Sequence, residues 1–527
     1  MPTFGIFSDI VAAKDKTPHI KLPAAYMTND SQRCYYDMNG VQRMPGRSPE
    51  LAGVVTPDGF PVLRYHYHVD ESSNKFTFVF TKSHIYKWNT VTSALDVMFT
   101  TSGVCTYWSS ISFNGKVIAT NYVDKVQVWL DSTPATIFAD MGSVGNGIDI
   151  GGAVYLTKAK FVILYETYVH FLYVEEGGVT YPARDRWSSR GDETDFDSTG
   201  VGDTSVRDFA SGLLIQGAGI YSAAVTNLLV VFTNKTIEKE WLVEDDLVFD
   251  HDTHRYELGC LAPDSIVNDD KGNLFFLGTD HAIHAMFSDL LFSLDIETTI
   301  KAISPTYEYY VRGFYVSSLN RIWWSIPKDG ASVQNDRVVS LNTKLNAWDP
   351  VMDISISAFG EFSQQVTYTI DTMPFDTIDS IGWATIDGLE NVIGTTFPIC
   401  GDYDGYTYKL IGNTFLDAGA AYTSEVVLGT DLTGSQELDQ FKRVDGFWVW
   451  FKRFPGNDYE ADIQIKTDQD TDYVSVATID FTSSNGDICR QWCPVDIRGR
   501  DFLIKIATVN DFIFYGMKFR FSWDGEE

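Results

Sequence analysis

The 527-residue sequence is short of basic residues and cysteine and has no long apolar run. Lys and Arg number 40 against 71 Asp and Glu, leaving a formal charge of −31. Affinity for DNA or RNA is built from cations that displace counterions from phosphate, so this balance excludes a general nucleic-acid binder. Any contact with DNA is expected to be non-adhesive. Six cysteines (Cys34, Cys105, Cys260, Cys400, Cys489 and Cys493) are too sparse for a disulfide scaffold. Cys489 and Cys493 are spaced C-x-x-x-C, but no second Cys or His pair lies near them, which favours reduced thiols in a β core over half a zinc site. No stretch reaches the roughly 18 apolar residues of a membrane span, and Met1 to Lys16 has no apolar centre bounded by basic residues. A soluble chain without signal peptide or membrane insertion is expected.

Helical periodicity is also nearly missing. The chain is 44% hydrophobic and 14% aromatic, enough for a large core, and its apolar residues come in short runs of Val, Ile, Phe, Tyr, Trp and Thr broken by Gly, Asn and Asp. An all-β fold follows. One unit recurs: a strand, a short polar turn, and a second strand that often ends in an aromatic residue. It is seen at Lys75–Asn89, Lys116–Leu130, Phe161–Val174, Asn227–Leu242, Asn273–Phe287, Asn320–Trp348 and, more faintly, Val392–Leu410. The starts are 41, 45, 66, 46, 47 and 72 residues apart, and most of these intervals match the repeat of a four-stranded propeller blade. Linkers rich in Pro, Gly or Ser are not found between residues 70 and 410, which argues against a string of separate sandwiches. The expectation is a β-propeller of about six or seven blades, because radial stacking hides both faces of each hairpin.

After Gly412 the strands lengthen and alternate more regularly, with turns expected at Gly434, Gly446, Gly456, Asn485 and Gly486. This fits an antiparallel β-sandwich. The expected organisation is therefore an N-terminal, partly extended segment (1–70), a propeller (71–412) and a C-terminal sandwich (413–527). In FWVWF, alternation sends Phe447, Val449 and Phe451 to one face and Trp448 and Trp450 to the other. Trp448 and Trp450 are the candidate interface residues, since buried aromatics dominate interface energetics. Core packing is the alternative.

A search for chemistry yields no catalytic, cofactor-binding or metal residues, and the chain is expected not to be an enzyme. Arg186–Phe196 (RWSSRGDETDF) lacks the order of a sialidase Asp-box. His66 and His68 fall on one strand face where they could share a metal with Asp70, and His251/His254 and His281/His284 form two further pairs. None completes a known ligand set, so ordinary hydrogen bonding is the reading. Asp402–Gly405 (DYDG) and Asp468–Asp472 (DQDTD) have the oxygen density of a calcium loop but not its length, which points to turn-forming Asp and leaves calcium open.

Three phrases carry a family resemblance. Cys34–Leu51 (CYYDMNGVQRMPGRSPEL), with R-M-P-G-R where the family phrase is V-R-P-G, resembles the opening segment of tail proteins from short-tailed phages. Arg184–Leu242 is similar to propeller proteins of the phage tail hub, called nozzle or packaged-DNA stabilization proteins. Gln440–Phe451 (QFKRVDGFWVWF) is similar to their terminal sandwich.

The resemblance implies a virion structural protein, made in the host cytoplasm, that forms a hexameric ring below the portal and adaptor. Such a ring meets tail fibre or spike proteins, helps retain packaged DNA, and passes it at ejection. The acidic excess is compatible with walls that repel double-stranded DNA along its path, and equally with simple solubility. Residues 345–392, which include IDTMPFDTIDS at 370–380, are a candidate insertion for a plug or partner contact, or an ordinary blade connection. Two other classes stay open: a carbohydrate-binding or glycan-cleaving propeller, and a receptor-binding tail subunit.

Overall fold

A computed structural model describes residues 3–7, 12–14 and 26–28, and residues 31–523 apart from 38–39, 52, 90–91, 131–136, 144, 199–202, 224–225, 244–247, 289–293, 329–331, 364–395, 412–415, 429–440, 453–458 and 483–487. The expected plug or partner insertion lies largely outside the described residues, as do the expected turns at Gly434, Gly456, Asn485 and Gly486.

The chain is essentially all-β, built of several mostly antiparallel sheets. Glu297–Lys301 is the single α-helix among the described residues. No helix among the described residues is long and apolar enough to cross a membrane.

The chain divides into two compact units. One comprises residues 49–274 and 356–410, the other residues 1–48, 275–355 and 411–527.

The first unit is a succession of meanders. Its first sheet runs Arg64–Val69, Lys75–Phe80, His84–Asn89, Ala94–Thr100, and its second Ser109–Phe113, Lys116–Thr120, Gln127–Leu130, Ala139–Asp140. The third runs Ile148–Asp149, Tyr155–Tyr165, Tyr168–Glu176, Val179–Trp187, Ser205–Asp208, and the fourth Ile215–Tyr221, Leu228–Thr233, Thr236–Leu242, Phe249–Tyr256. A returning sheet, Ala358–Ser363, Thr396–Gly401, Thr407–Lys409, completes it.

Four of the expected hairpins, Lys75–Asn89, Lys116–Leu130, Phe161–Val174 and Asn227–Leu242, are the inner strands of these sheets. Both faces of an inner strand are covered, so its sequence is apolar throughout: Leu228–Thr233 is buried at every position. The flanking strands carry polar residues because one side meets water, as in Phe249–Tyr256 (FDHDTHRY).

Cores form between sequence neighbours. Phe78, Phe80 and Ile85 of the first sheet cluster with Val117, Ala119 and Trp129 of the second. Ile118 and Val126, in and beside the second sheet, cluster with Val162 and Phe171 of the third. Ala358, Phe362 and Ile399 of the returning sheet cluster with Tyr65, Val79 and Trp88 of the first.

The second unit contains a four-stranded meander, Arg312–Val316, Arg321–Ile326, Arg337–Asn342, Ala347–Trp348, and two larger sheets. One orders Ile488–Gly499, Lys442–Lys452, Ile513–Trp523, Gly40–Arg43, Cys34–Asp37, with Thr3–Phe7 also paired to Ile513–Trp523. The other orders Ala12–Lys14, Tyr26–Thr28, Ser424–Leu428, Phe502–Thr508, Glu460–Thr467, Val474–Asp480. Both feed one apolar cluster that includes Phe447, Val449, Phe451 and Phe519 from the first and Leu428, Ile463, Ile465 and Ile506 from the second.

Gly446 departs from the expected turn. It lies inside the strand Lys442–Lys452, at a register shift against both neighbouring strands, with φ +157°. A Cβ there would sit 2.3 Å from Trp492 Cζ2, so glycine serves a bulge with close packing.

The N-terminal phrase is bound into this second unit. Arg321, 2% exposed, donates from Nε to Asp349 Oδ2 (2.7 Å) and from Nη2 to the Tyr36 carbonyl (2.5 Å). Asp349 also accepts from Ser340 Oγ (2.6 Å) and the Tyr36 N–H (3.3 Å). Arg33 and Arg47 both pair with Asp417, and Arg43 lies over the Tyr422 ring.

Candidate functional site

The residues singled out from sequence resolve into ordinary structural roles in most cases. His66 and His68 do share a strand face, and that face meets Ser112, whose Oγ lies 2.8 Å from His66 Nε2 and 2.8 Å from His68 Nδ1. Ser110 Oγ is 3.0 Å from His66 Nδ1. Burial, helped by the charge of Arg64, pushes His66 down to about 3, so the ring is neutral at physiological pH. Asp70 does not join them. Its carboxylate accepts the backbone and side-chain N–H groups of Asn74 and closes the turn between strands.

His281 pairs with Glu308 (3.0 Å) and His284 with Asp280 (2.9 Å), so this histidine pair does not converge either. His251 is exposed, on a flanking strand. Asp402 accepts the N–H groups of Asp404 and Tyr406 and the hydroxyl of Tyr408, and Asp470 accepts from Thr467. These are turn carboxylates. All six cysteines are buried and free, and burial raises the thiols of Cys105 and Cys260 to about 12.

Trp448 and Trp450 lie on the side of their strand opposite Phe447, Val449 and Phe451, and both are half-buried. Trp448 sits beside Trp492, ring centroids 5.2 Å apart. The Arg490 guanidinium lies 4.1 Å from the Trp448 centroid and 5.5 Å from that of Trp450. The result is an aromatic patch capped by one cation, the composition of an interface hot spot.

One constellation was missed in the sequence. His170, Asp185 and Glu240 bring one ring nitrogen and one oxygen from each carboxylate within 4.8 Å of one another. His170 and Asp185 sit on adjacent strands of the third sheet, while Glu240 comes from Thr236–Leu242 of the fourth. All three side chains are 0% exposed. His170 Nδ1 is 2.8 Å from Asp185 Oδ2. His170 Nε2, Asp185 Oδ1 and both Glu240 oxygens have no hydrogen-bond partner among the described residues. Arg207 Nη1 stands 3.1 Å from Glu240 Oε1, an ion-pair distance without hydrogen-bond geometry.

The site is walled by aromatic rings. Phe249, Trp187 and Tyr165 have centroids 5.0, 5.9 and 6.2 Å from that of His170. In this dry setting burial first, and the Asp185 charge second, push the Glu240 carboxyl well above the usual carboxylate range. His170 interrupts the buried apolar run Tyr168–Leu172, but Glu240 shares its strand with Glu238 and Lys239 and does not stand out. The distance between His170 and Glu240 in sequence hid the convergence.

No family model matches the sequence, and no curated protein is significantly similar to it.

Proposed function

We propose that the chain is a virion structural protein, a nozzle or tail-hub subunit of a short-tailed phage that assembles into a hexameric ring around a DNA channel. The observation that carries this reading is the order of the cores. Each of the first three meanders shares a core with its neighbour, and the returning strands Ala358–Ser363 and Thr396–Gly401 pack on the first sheet. Propeller blades pack in this way. Together with the phrases at 34–51, 184–242 and 440–451, it supports residues 71–412 as a propeller of about six or seven blades and 413–527 as a terminal sandwich. The ring's neighbours are the portal-side adaptor and tail fibre or spike proteins.

The excess of 31 negative charges suits a conduit. A lumen whose wall lies within about one Debye length of the DNA, ~8 Å at physiological salt, repels the polyanion weakly along the whole path and gives it nowhere to adhere. A ring structure with a net positive channel wall would overturn this part of the proposal.

Glycan hydrolysis needs accessible carboxylates. The His170 constellation is sealed. A cleft of about 440 Å³ beside the first and second sheets contains Asp124 and Asp140, but Asp124 accepts from the Ser102 N–H and Asn121, and Asp140 from Gln127 and Lys125. Both carboxylates are occupied in holding loops. Negative-stain imaging with native mass spectrometry of the purified chain tests the proposal: rings with a central channel are expected. A monomer that binds or cleaves glycans on an array would reassign the protein to the carbohydrate-active class.

A further inference from the structure

We propose that His170, Asp185 and Glu240 form a structural binding site for one divalent first-row metal ion, zinc by preference, which ties the third sheet to the fourth. An imidazole nitrogen and two carboxylate oxygens are a common donor set for such an ion. Bonds of about 2.1 Å in tetrahedral geometry space ligand atoms about 3.4 Å apart, so a cluster already within 4.8 Å closes with small side-chain movements. A carboxylate binding through both oxygens supplies the fourth position. The absence of thiolate from the set disfavours copper(I) and iron–sulfur chemistry, and the imidazole disfavours magnesium and calcium, which take oxygen.

The pairing of the surrounding groups supports the assignment. Glu176, Arg184, Arg186 and Asp208 pair among themselves, two acids against two bases. At the site itself His170 faces Asp185 and Arg207 faces Glu240, with Glu238 as the neighbouring acid. Glu238 is satisfied by the hydroxyls of Thr236 and Thr253. Glu240 has no such donors, and Arg207 spends its Nη2 on the Phe249 carbonyl at 2.7 Å. A divalent cation engages the polar atoms that protein groups leave unpaired.

The aromatic wall and complete burial assign the ion a structural role, since a catalytic metal keeps a position open to substrate. It would act as a cross-link between successive sheets, formed as they dock.

The test uses the full chain and zinc as the probe. Protein refolded with zinc and freed of excess metal is expected to carry about one ion per chain by mass spectrometric metal analysis, and its melting temperature should fall on chelation and recover on zinc addition. Glu240→Gln keeps the shape of the side chain and is expected to lower zinc affinity at least ~10-fold, while Glu238→Gln leaves it unchanged. Should Glu240→Gln fail to fold, cobalt substitution of the wild-type chain decides. Visible bands and X-ray absorption with nitrogen and oxygen ligands support the site, whereas sulfur ligation overturns it. Refolded protein without bound metal, or a protonated-carboxyl infrared band that vanishes in Glu240→Gln, also overturns it by showing that a proton holds the place. Metal content is read on the chain whether or not rings form, so this result stands apart from the proposed tail function.

Discussion

Asp417 is where the N-terminal arginines converge, and its titration gives a quantitative prediction. Arg47 donates from Nε at 2.8 Å and Nη2 at 3.2 Å, Arg33 Nη1 lies 2.9 Å away, and the carboxylate is only 10% exposed. Burial by itself raises the carboxyl, but the hydrogen bonds and charge of Arg47, then those of Arg33, outweigh it and hold the pKa at about 2 against an ordinary 3.8. The folded chain therefore releases this proton more readily than the unfolded chain. The resulting stability is fully present above the unfolded value near pH 4 and is lost as pH falls toward 2. A displacement of nearly two pH units corresponds to about 2 kcal/mol. Urea unfolding followed by tryptophan fluorescence, at a series of pH values from 7 to 2, should show Asp417→Asn less stable than wild type by about this amount at neutral pH. The gap should be largely closed near pH 2, where the wild-type carboxyl is half protonated. A gap that persists unchanged at pH 2 would refute the electrostatic account and leave only side-chain fit.

The buried Arg321–Asp349 pair gives a different signature: Asp349→Ala alone should cost about 3–5 kcal/mol in denaturant unfolding, because it strands a guanidinium, whereas Arg321→Met with Asp349→Leu should recover most of the loss. Equal losses in the single and double variants would contradict the pairing. Gly446→Ala should cost about 1–3 kcal/mol and shift Trp492 emission, since the new methyl meets the indole and the Cys493 carbonyl at the bulge. An unchanged unfolding midpoint would show that the bulge relaxes freely. Trp448→Asp with Trp450→Asp should leave the circular dichroism of the monomer intact and abolish rings in native mass spectrometry. Intact rings would return both residues to local packing.

Much of the fold was legible because inner strands of stacked sheets must be apolar on both sides. Lys116–Leu130 and Asn227–Leu242 announce themselves by Val, Ile, Phe and Trp alone. Flanking strands do not. Phe249–Tyr256 is a full strand, but its acids and histidines give no apolar run to mark it, since exposed strand positions are free to be polar. Gly446 was misread for a related reason. A glycine that makes room for Trp492 looks the same in sequence as one that turns the chain. The His170 cluster was illegible as a site because strand register and sheet stacking, not spacing, bring positions 170, 185 and 240 together. The faces of Trp448 and Trp450 followed directly from alternation.

The packing of the returning strands Ala358–Ser363 and Thr396–Gly401 onto the first sheet carries a consequence for synthesis. Tyr65, Val79 and Trp88 leave the ribosome some 300 residues ahead of the Ala358, Phe362 and Ile399 side chains that cover them. At about 5–20 residues per second that is a wait of roughly 15–60 s. During that interval the nascent chain exposes an aromatic surface and an unpaired sheet face, so its yield should depend on chaperone capacity and translation speed more steeply than its final stability suggests.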